Sequence, residues 1–160
     1  PRRYAFAARD RIDETQQRIR SVHDERFHYI RTYSTGPTFA SLNRYKEKCF
    51  PIMGVMRDLL ARGQLRGAPL DLMRRTGPCE ELYDTAADPF EIRDLSGSRE
   101  TAHREALVRL RAALDTWVVE TGDRGAIPEP DAVVAPFAAE MHQWFGTPAW
   151  AQTPAAPVRP

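Results

Sequence analysis

Between residues 3 and 33 apolar positions recur with a period of two. Tyr4, Phe6 and Ala8 alternate with smaller or polar neighbours, which predicts a half-buried strand over residues 3–9. Arg18 to His23 and Arg26 to Tyr33 are two more strand-like runs, and the polar pair Asp24-Glu25 between them predicts a β-hairpin. The second run carries Phe27, Tyr29 and Tyr33 on one face and Ile30 on the other, as a central strand covered on both sides does. Gly36-Pro37 ends it. The period then lengthens. Thr38 can cap a helix, and Phe39, Leu42 and Tyr45 have helical spacing; Pro51 interrupts, so residues 38–63 predict two short helices or one kinked helix. Met53, Met56 and Leu60 form the apolar stripe of the second part, and Gly63 is its stop. Residues 64–80, with Gly67, Pro69, Gly77 and Pro78, read as a loop.

The strongest helix runs from Thr101 to Glu120, where Ala106, Leu107, Leu110, Ala113, Leu114, Trp117 and Val118 make a broad apolar stripe. Glu105 and Arg109 are spaced as an i,i+4 pair, and Gly122 ends the helix. Phe137 to Phe145 can hold a short helix with Met141 and Trp144, and the last ten residues, rich in alanine and proline, are expected to be disordered. Strands followed by helices argue an α+β fold, an antiparallel sheet packed on one face by the long helix. Residues 1–125 are expected to form the folded part and 126–160 a Pro/Ala-rich tail, partly disordered.

At 160 residues and 42% hydrophobic composition the chain can bury a real core. A net charge of +1, from 23 basic and 22 acidic residues, argues against a nucleic-acid partner. No apolar run reaches membrane-spanning length and no signal peptide is visible, so no membrane partner is expected. Cys49 and Cys79 are too few for a disulfide framework or a structural zinc site, and the spacing leaves open whether they pair. His23, His28, His103 and His142 lack metal-ligand spacing; His23 and His28 flank the hairpin turn and are expected to pack across it.

Residues 81–95 are the most distinctive stretch. Glu81-Leu82-Tyr83-Asp84 reads as a brief strand. Asp88 reads as the N-cap of a one-turn helix with Pro89 at its first position, Glu91 capping reciprocally and Leu95 as a hydrophobic anchor. Nothing in that reading is catalytic. The stretch nevertheless resembles a signature near the C-terminus of sulfatases of the alkaline phosphatase superfamily: E-L-Y-D, a short spacer, D-P-x-E, two residues, then N-L. Glu81, Leu82, Tyr83, Asp84, Asp88, Pro89, Glu91 and Leu95 match it, and Asp94 stands where that family usually has Asn. The run Arg20-Ser21-Val22-His23 through Arg26-Phe27-His28-Tyr29-Ile30-Arg31 resembles the family's strand pair, with His28 in place of the usual Lys. Pro37-Thr38-Phe39 with Leu42-Asn43 resembles the following segment of sulfamidase-like members, which remove N-linked sulfate from glucosamine. Leu110-Arg111, Leu114, Trp117 and Glu120-Thr121-Gly122-Asp123 resemble the terminal helix and its exit.

The resemblance covers residues 3–130 and implies the C-terminal subdomain of a larger enzyme, a four-stranded antiparallel sheet with one terminal helix. The chain, which begins at Pro1, is accordingly expected to be a fragment. The partners implied are the missing N-terminal α/β domain and a sulfated small molecule or sugar, and the compartment implied is periplasmic, secreted or lysosomal. In that family the nucleophile is a formylglycine made from C/S-x-P-x-R and the metal is calcium, held by hard oxygen ligands. Both are expected in the N-terminal domain, with no cofactor and no catalytic residue in this chain. Cys49-Phe50-Pro51-Ile52-Met53 imitates the pattern but puts Met53 where arginine is required.

The charged run Arg9-Asp10-Arg11-Ile12-Asp13-Glu14, read as a loop after the first strand, has two readings. One is a solvated loop. The other is a substrate-facing loop, in which Arg9 or Arg11 pairs with sulfate or carboxylate and Asp10, Asp13 or Glu14 accepts from sugar hydroxyls. Two further functions stay open: the C-terminal part of a phosphonate monoester hydrolase or phosphodiesterase of the same superfamily, and a non-catalytic module binding anionic glycans.

Overall fold

A computed structural model describes residues 2–152. Among the described residues four strands, β1 (Ala5–Ile12), β2 (Thr15–His23), β3 (Phe27–Pro37) and β4 (Thr76–Asp84), pair in the order β1-β2-β3-β4. Six helices among those residues accompany them: α1 (Arg44–Cys49), α2 (Pro51–Ala61), α3 (Gly67–Arg74), α4 (Thr101–Thr121), α5 (Asp131–Phe145) and α6 (Ala149–Gln152). The fold is α+β, with the antiparallel sheet and long helix that the patterning predicts. Two compact units divide it. Of the described residues, the first comprises 2–11, 16–38 and 76–128; the second comprises 12–15, 39–75 and 129–152. The expected disorder of the last ten residues falls mostly on residues 153–160, outside the described residues.

The first unit is built on the sheet and α4. Val22, Tyr29 and Leu82 are register partners across β2, β3 and β4, so they share one face. Ala106, Leu107, Leu110 and Leu114 of α4 close on that face together with Phe27 and Leu95, and Tyr4, Phe6, Ala113, Trp117 and Val118 pack at its margin. Phe6 stacks on Trp117 at 5.3 Å. α4 stops at Gly122, whose φ of +63° lets Asp123 N–H return to the Val118 carbonyl. The face across the sheet is mixed, with Ile19, Ile30, Thr32 and Tyr83 among its residues, and Thr32 and Tyr83 on it are buried; β3, between β2 and β4, is an interior strand buried on both faces, as the pattern implies.

The second unit has its own small core of Ala40, Met53, Met56, Leu65 and Met73. Asn43, not Thr38, caps α1, its side chain accepting from Lys46 N–H at 2.8 Å. Pro51 sits at the start of α2 and separates the helices as expected. Gly63, at φ +65°, follows the end of α2. Three further expectations are corrected. Residues 64–80 are not a loop but hold α3 and most of β4, with Pro69 in the first turn of α3 where a missing N–H is harmless. The terminal helix is longer than residues 137–145, starting at Asp131. Arg109 donates to Asp24 Oδ2 at 2.5 Å instead of pairing with Glu105.

Candidate functional site

The charged run is not a loop. Arg9 to Ile12 belong to β1, and Asp13 and Glu14 are the two-residue turn into β2. Asp13 takes a φ of +51°, a conformation that a short polar side chain tolerates. The five candidates do not form one group: Arg9, Asp10 and Arg11 belong to the first unit, Asp13 and Glu14 to the second.

In the second unit the turn anchors the start of α1. Asp13 Oδ2 accepts from Asn43 Nδ2 at 3.1 Å, and Glu14 Oε1 accepts from the Arg44 backbone N–H at 2.8 Å and from Arg44 Nη1 at 3.3 Å. Thr15 Oγ1 donates to the Leu42 carbonyl at 2.7 Å. The Glu14 side chain is only 6% exposed. Its second oxygen and Arg44 Nε are buried without a partner, one rotamer adjustment short of a two-pronged pair. These are the contacts of a buttress, and they leave Asp13 and Glu14 already engaged.

In the first unit the run surrounds a buried arginine. Arg20, 1% exposed, lies on the same strand face as Val22, toward the core. Its Nε donates to Asp123 at 2.9 Å, Nη1 to the carbonyls of Arg9 and Ile19 at 3.1 and 2.9 Å, and Nη2 pairs with Asp10 at 2.8 Å and Asp123 at 2.9 Å. All five guanidinium N–H groups therefore have acceptors. Burial alone lowers the Arg20 pKa, but the hydrogen bonds it donates to Asp123 and Asp10, with their charges, outweigh it and hold the group above its usual range. Burial likewise pushes Asp123 up, and its bonds to Arg20 and the Gly125 N–H bring it below the carboxylate range. Gly125 lies flat against the guanidinium, where any Cβ would collide with it. Asp10 is thus half of a structural ion pair, while Arg9 offers its carbonyl inward and its side chain to solvent.

A second polar cluster edges the same face. Tyr29 O–H bonds to Glu80, Arg31 Nε donates to the Tyr29 oxygen at 3.0 Å, and Arg111 pairs with Glu80. Arg31 Nη1 also reaches Asp115 at 2.6 Å. Burial, then the bond to Glu80, pushes the Tyr29 hydroxyl up to about 12.

The distinctive stretch is a strand followed by turns, not by the one-turn helix that its spacing predicts. Asp88 caps differently: its carbonyl accepts from Glu91 N–H at 3.1 Å, and its Oδ2 from the N–H groups of Ile92 and Arg93 at 2.8 Å each. Glu91 turns to φ +52° and sends its carboxylate to His28 Nδ1 at 2.7 Å, so it bonds the β3 side chain and not the Asp88 backbone. Asp94 and Leu95 then return to Leu82 on the open edge of β4. Asp94 Oδ1 accepts from Leu82 N–H at 3.0 Å, and Leu95 N–H donates to the Leu82 carbonyl at 2.7 Å. This dresses an edge strand that would otherwise present unpaired backbone groups, and Leu95 drops into the core. Asp94 Oδ2 accepts from Ser96 Oγ at 3.0 Å, but a hydroxyl can turn to accept from an amide instead, so the buried Leu82 N–H needs only the Oδ1 acceptor. Asp94→Asn is therefore expected to leave stability within about 0.5 kcal/mol, whereas Asp94→Ala costs about 1–3 kcal/mol by orphaning a buried N–H. Urea denaturation of the two variants checks this, and equal losses would refute the assignment.

Among the described residues, no group of three or more His, Cys, Asp or Glu is placed to hold a metal ion. Cys49 is exposed at the end of α1, while Met53 lies in the small core, so the C-x-P imitation has no cation where the nucleophile pattern requires one. No helix among the described residues is long and apolar enough to cross a membrane.

No protein-family model matches the chain. Over 132 residues, 82% of its length, it is 36% identical to an ulvan-active sulfatase of Formosa agariphila. The chain spans about a fifth of that protein, 22% of its length. The match supports a sulfatase relationship for this sequence, and it leaves the sulfamidase-like subtype undecided.

Proposed function

We propose that the chain is the C-terminal part of a sulfatase, a hydrolase of sulfate esters or N-sulfate, in which it completes the fold and shapes the substrate pocket. One observation carries the reading: the 36% identity to a sulfatase extends over 82% of the chain. The roles of the residues that carry the motif resemblance agree with it, since Arg20, Asp123, Leu82, Leu95 and Glu91 are all spent on holding the sheet, α4 and the turns together. Such residues are constrained by architecture and not by the reaction, so they can persist wherever the fold does.

In this reading the reacting groups belong to the remainder of the polypeptide. The family's calcium and formylglycine do not fit the residues here. The described part offers no cluster of donors, and Cys49-Phe50-Pro51-Ile52-Met53 lacks the arginine. The chain's own contribution is scaffold, plus the exposed Arg9 side chain on the face of β1 away from Asp10, a charge partner for an anionic sugar. An N-sulfated sugar is one substrate within this reading and a sulfate ester another.

The test is an assay of the full-length protein on paired aryl sulfate and aryl phosphate substrates, with ulvan and an N-sulfated glucosamine added to the panel. Sulfate release with little phosphate release is expected. Preferential phosphate or phosphonate ester cleavage would instead identify a related hydrolase of the same superfamily, and retention of a sulfated glycan with no turnover would identify a binding module.

A further inference from the structure

Both helices that follow β3 expose apolar and aromatic side chains to solvent. Tyr45 of α1, Phe50 at the junction, and Ile52 and Val55 of α2 are each 45–57% exposed. Ile52 and Val55 are three residues apart and share one side of α2, flanking the buried stripe of Met53 and Met56. Tyr45 meets Phe50 edge-on at 5.8 Å and Phe145 at 5.6 Å, and Phe145 meets Trp144, 63% exposed, at 6.3 Å. Four aromatic rings thus run in sequence beside two aliphatic side chains, all inside the second unit. Elsewhere the exposed apolar groups form smaller sets: Phe90 and Ile92 stand together in the turns after β4, and Val108 and Val119 stand three turns apart on α4. A connected patch of this kind on a soluble surface marks a contact.

We propose that this face is the docking surface for the rest of the sulfatase polypeptide, a proposal that rests on the function given above. Three features choose a protein surface over a sugar chain. Successive rings are turned across one another, at 86°, 68° and 82°, so they share no plane on which consecutive sugar rings could stack. Ile52 and Val55 add branched aliphatic bulk, which packs against protein side chains. None of the six side chains bears a charge with which to hold an anionic sugar. Chain length supplies the occupant: the chain matches 22% of a sulfatase, so nearly four-fifths of such a protein remains to cover this face.

Cys49, exposed between Tyr45 and Phe50, is the reporter. The full-length protein carrying Cys79→Ser is alkylated with iodoacetamide under native conditions, and the peptide containing Cys49 is quantified by mass spectrometry against the same protein in denaturant. Docking predicts Cys49 labelling at least tenfold slower in the native protein, independent of protein concentration. Labelling within about twofold of the denatured rate overturns the proposal. So does protection that strengthens with protein concentration, which marks a second copy, or that arises only on adding ulvan, which marks a glycan. Sulfate release assayed on the same preparation separates the two claims. A protected Cys49 without sulfatase activity removes the function and keeps the surface; an exposed Cys49 with activity does the reverse. A Phe50→Asp, Ile52→Asp variant is expected to restore rapid labelling without altering the fluorescence of Trp117.

Discussion

Replacing Arg20 by alanine is expected to lower the unfolding free energy by about 3–5 kcal/mol, the cost of breaking a buried ion pair from one side. The magnitude follows from what is left behind. Asp123 loses its main cation, the carbonyls of Arg9 and Ile19 lose their donor, and Asp10 is released to water. Arg20→Lys cannot repair this, because an ammonium supplies three donors where five are used, and it is expected to recover less than half of the loss. Acid should mimic the substitution. The folded-state pKa of Asp123 lies below its ordinary 3.8, so its contribution is present above that pH and is lost as pH falls through the depressed value. Urea denaturation at neutral pH, with the slope unchanged between variants, provides the measurement. A loss under about 1 kcal/mol would show that the guanidinium does not hold α4's exit to the sheet.

At alkaline pH the second large effect is expected, at Tyr29. Its hydroxyl is fully buried, bonded to Glu80 and Arg31, and its pKa is raised from 10.0 to about 12. A raised folded-state pKa contributes stability that is complete below the unfolded value and lost as pH rises through the folded one. A rise of this size corresponds to about 2–3 kcal/mol, so this much should disappear between pH 10 and 12. Other groups titrate in the same range, and the Tyr29→Phe variant isolates the effect. The stability difference between wild type and variant should shrink across that window, whereas a difference constant with pH would place the effect elsewhere.

Periodicity carried most of the fold. The long helix was legible because seven apolar residues repeat along it, and its end because Gly122 supplies a left-handed residue. The hairpin around Asp24 was legible for the complementary reason, a period of two on both sides of a polar turn. What escaped was local chemistry that imitates a loop. Residues 9–14 are charged because β1 is an edge strand, and edges are protected by charge; the turn uses Asp13, not glycine, and gives no hairpin signal. In α3, Gly67 and Pro69 look like punctuation, yet both stand in the first turn, where neither breaks the helix. At residues 88–95 a capping pattern was present but served a turn: Asp88 closes it through two other N–H groups, and Glu91 is drawn to His28 in the neighbouring strand. Spacing within a segment cannot register a partner 63 residues away.

The candidate residues singled out in the sequence are engaged in the structure for a different reason. Asp10 matters through Arg20, and Asp13 and Glu14 through Asn43 and Arg44. One signal for Arg20 was available: it shares the face of Val22 on a core-facing strand, and an arginine there must have acids to meet. Its acid, Asp123, lies 103 residues away in the exit of the long helix, and only the folded chain joins them.

The most direct test of the whole account is the coding sequence upstream of Pro1. A single open frame carrying C/S-x-P-x-R ahead of this chain is the expected result. A frame that opens at or just before Pro1, with no such pattern, would contradict it.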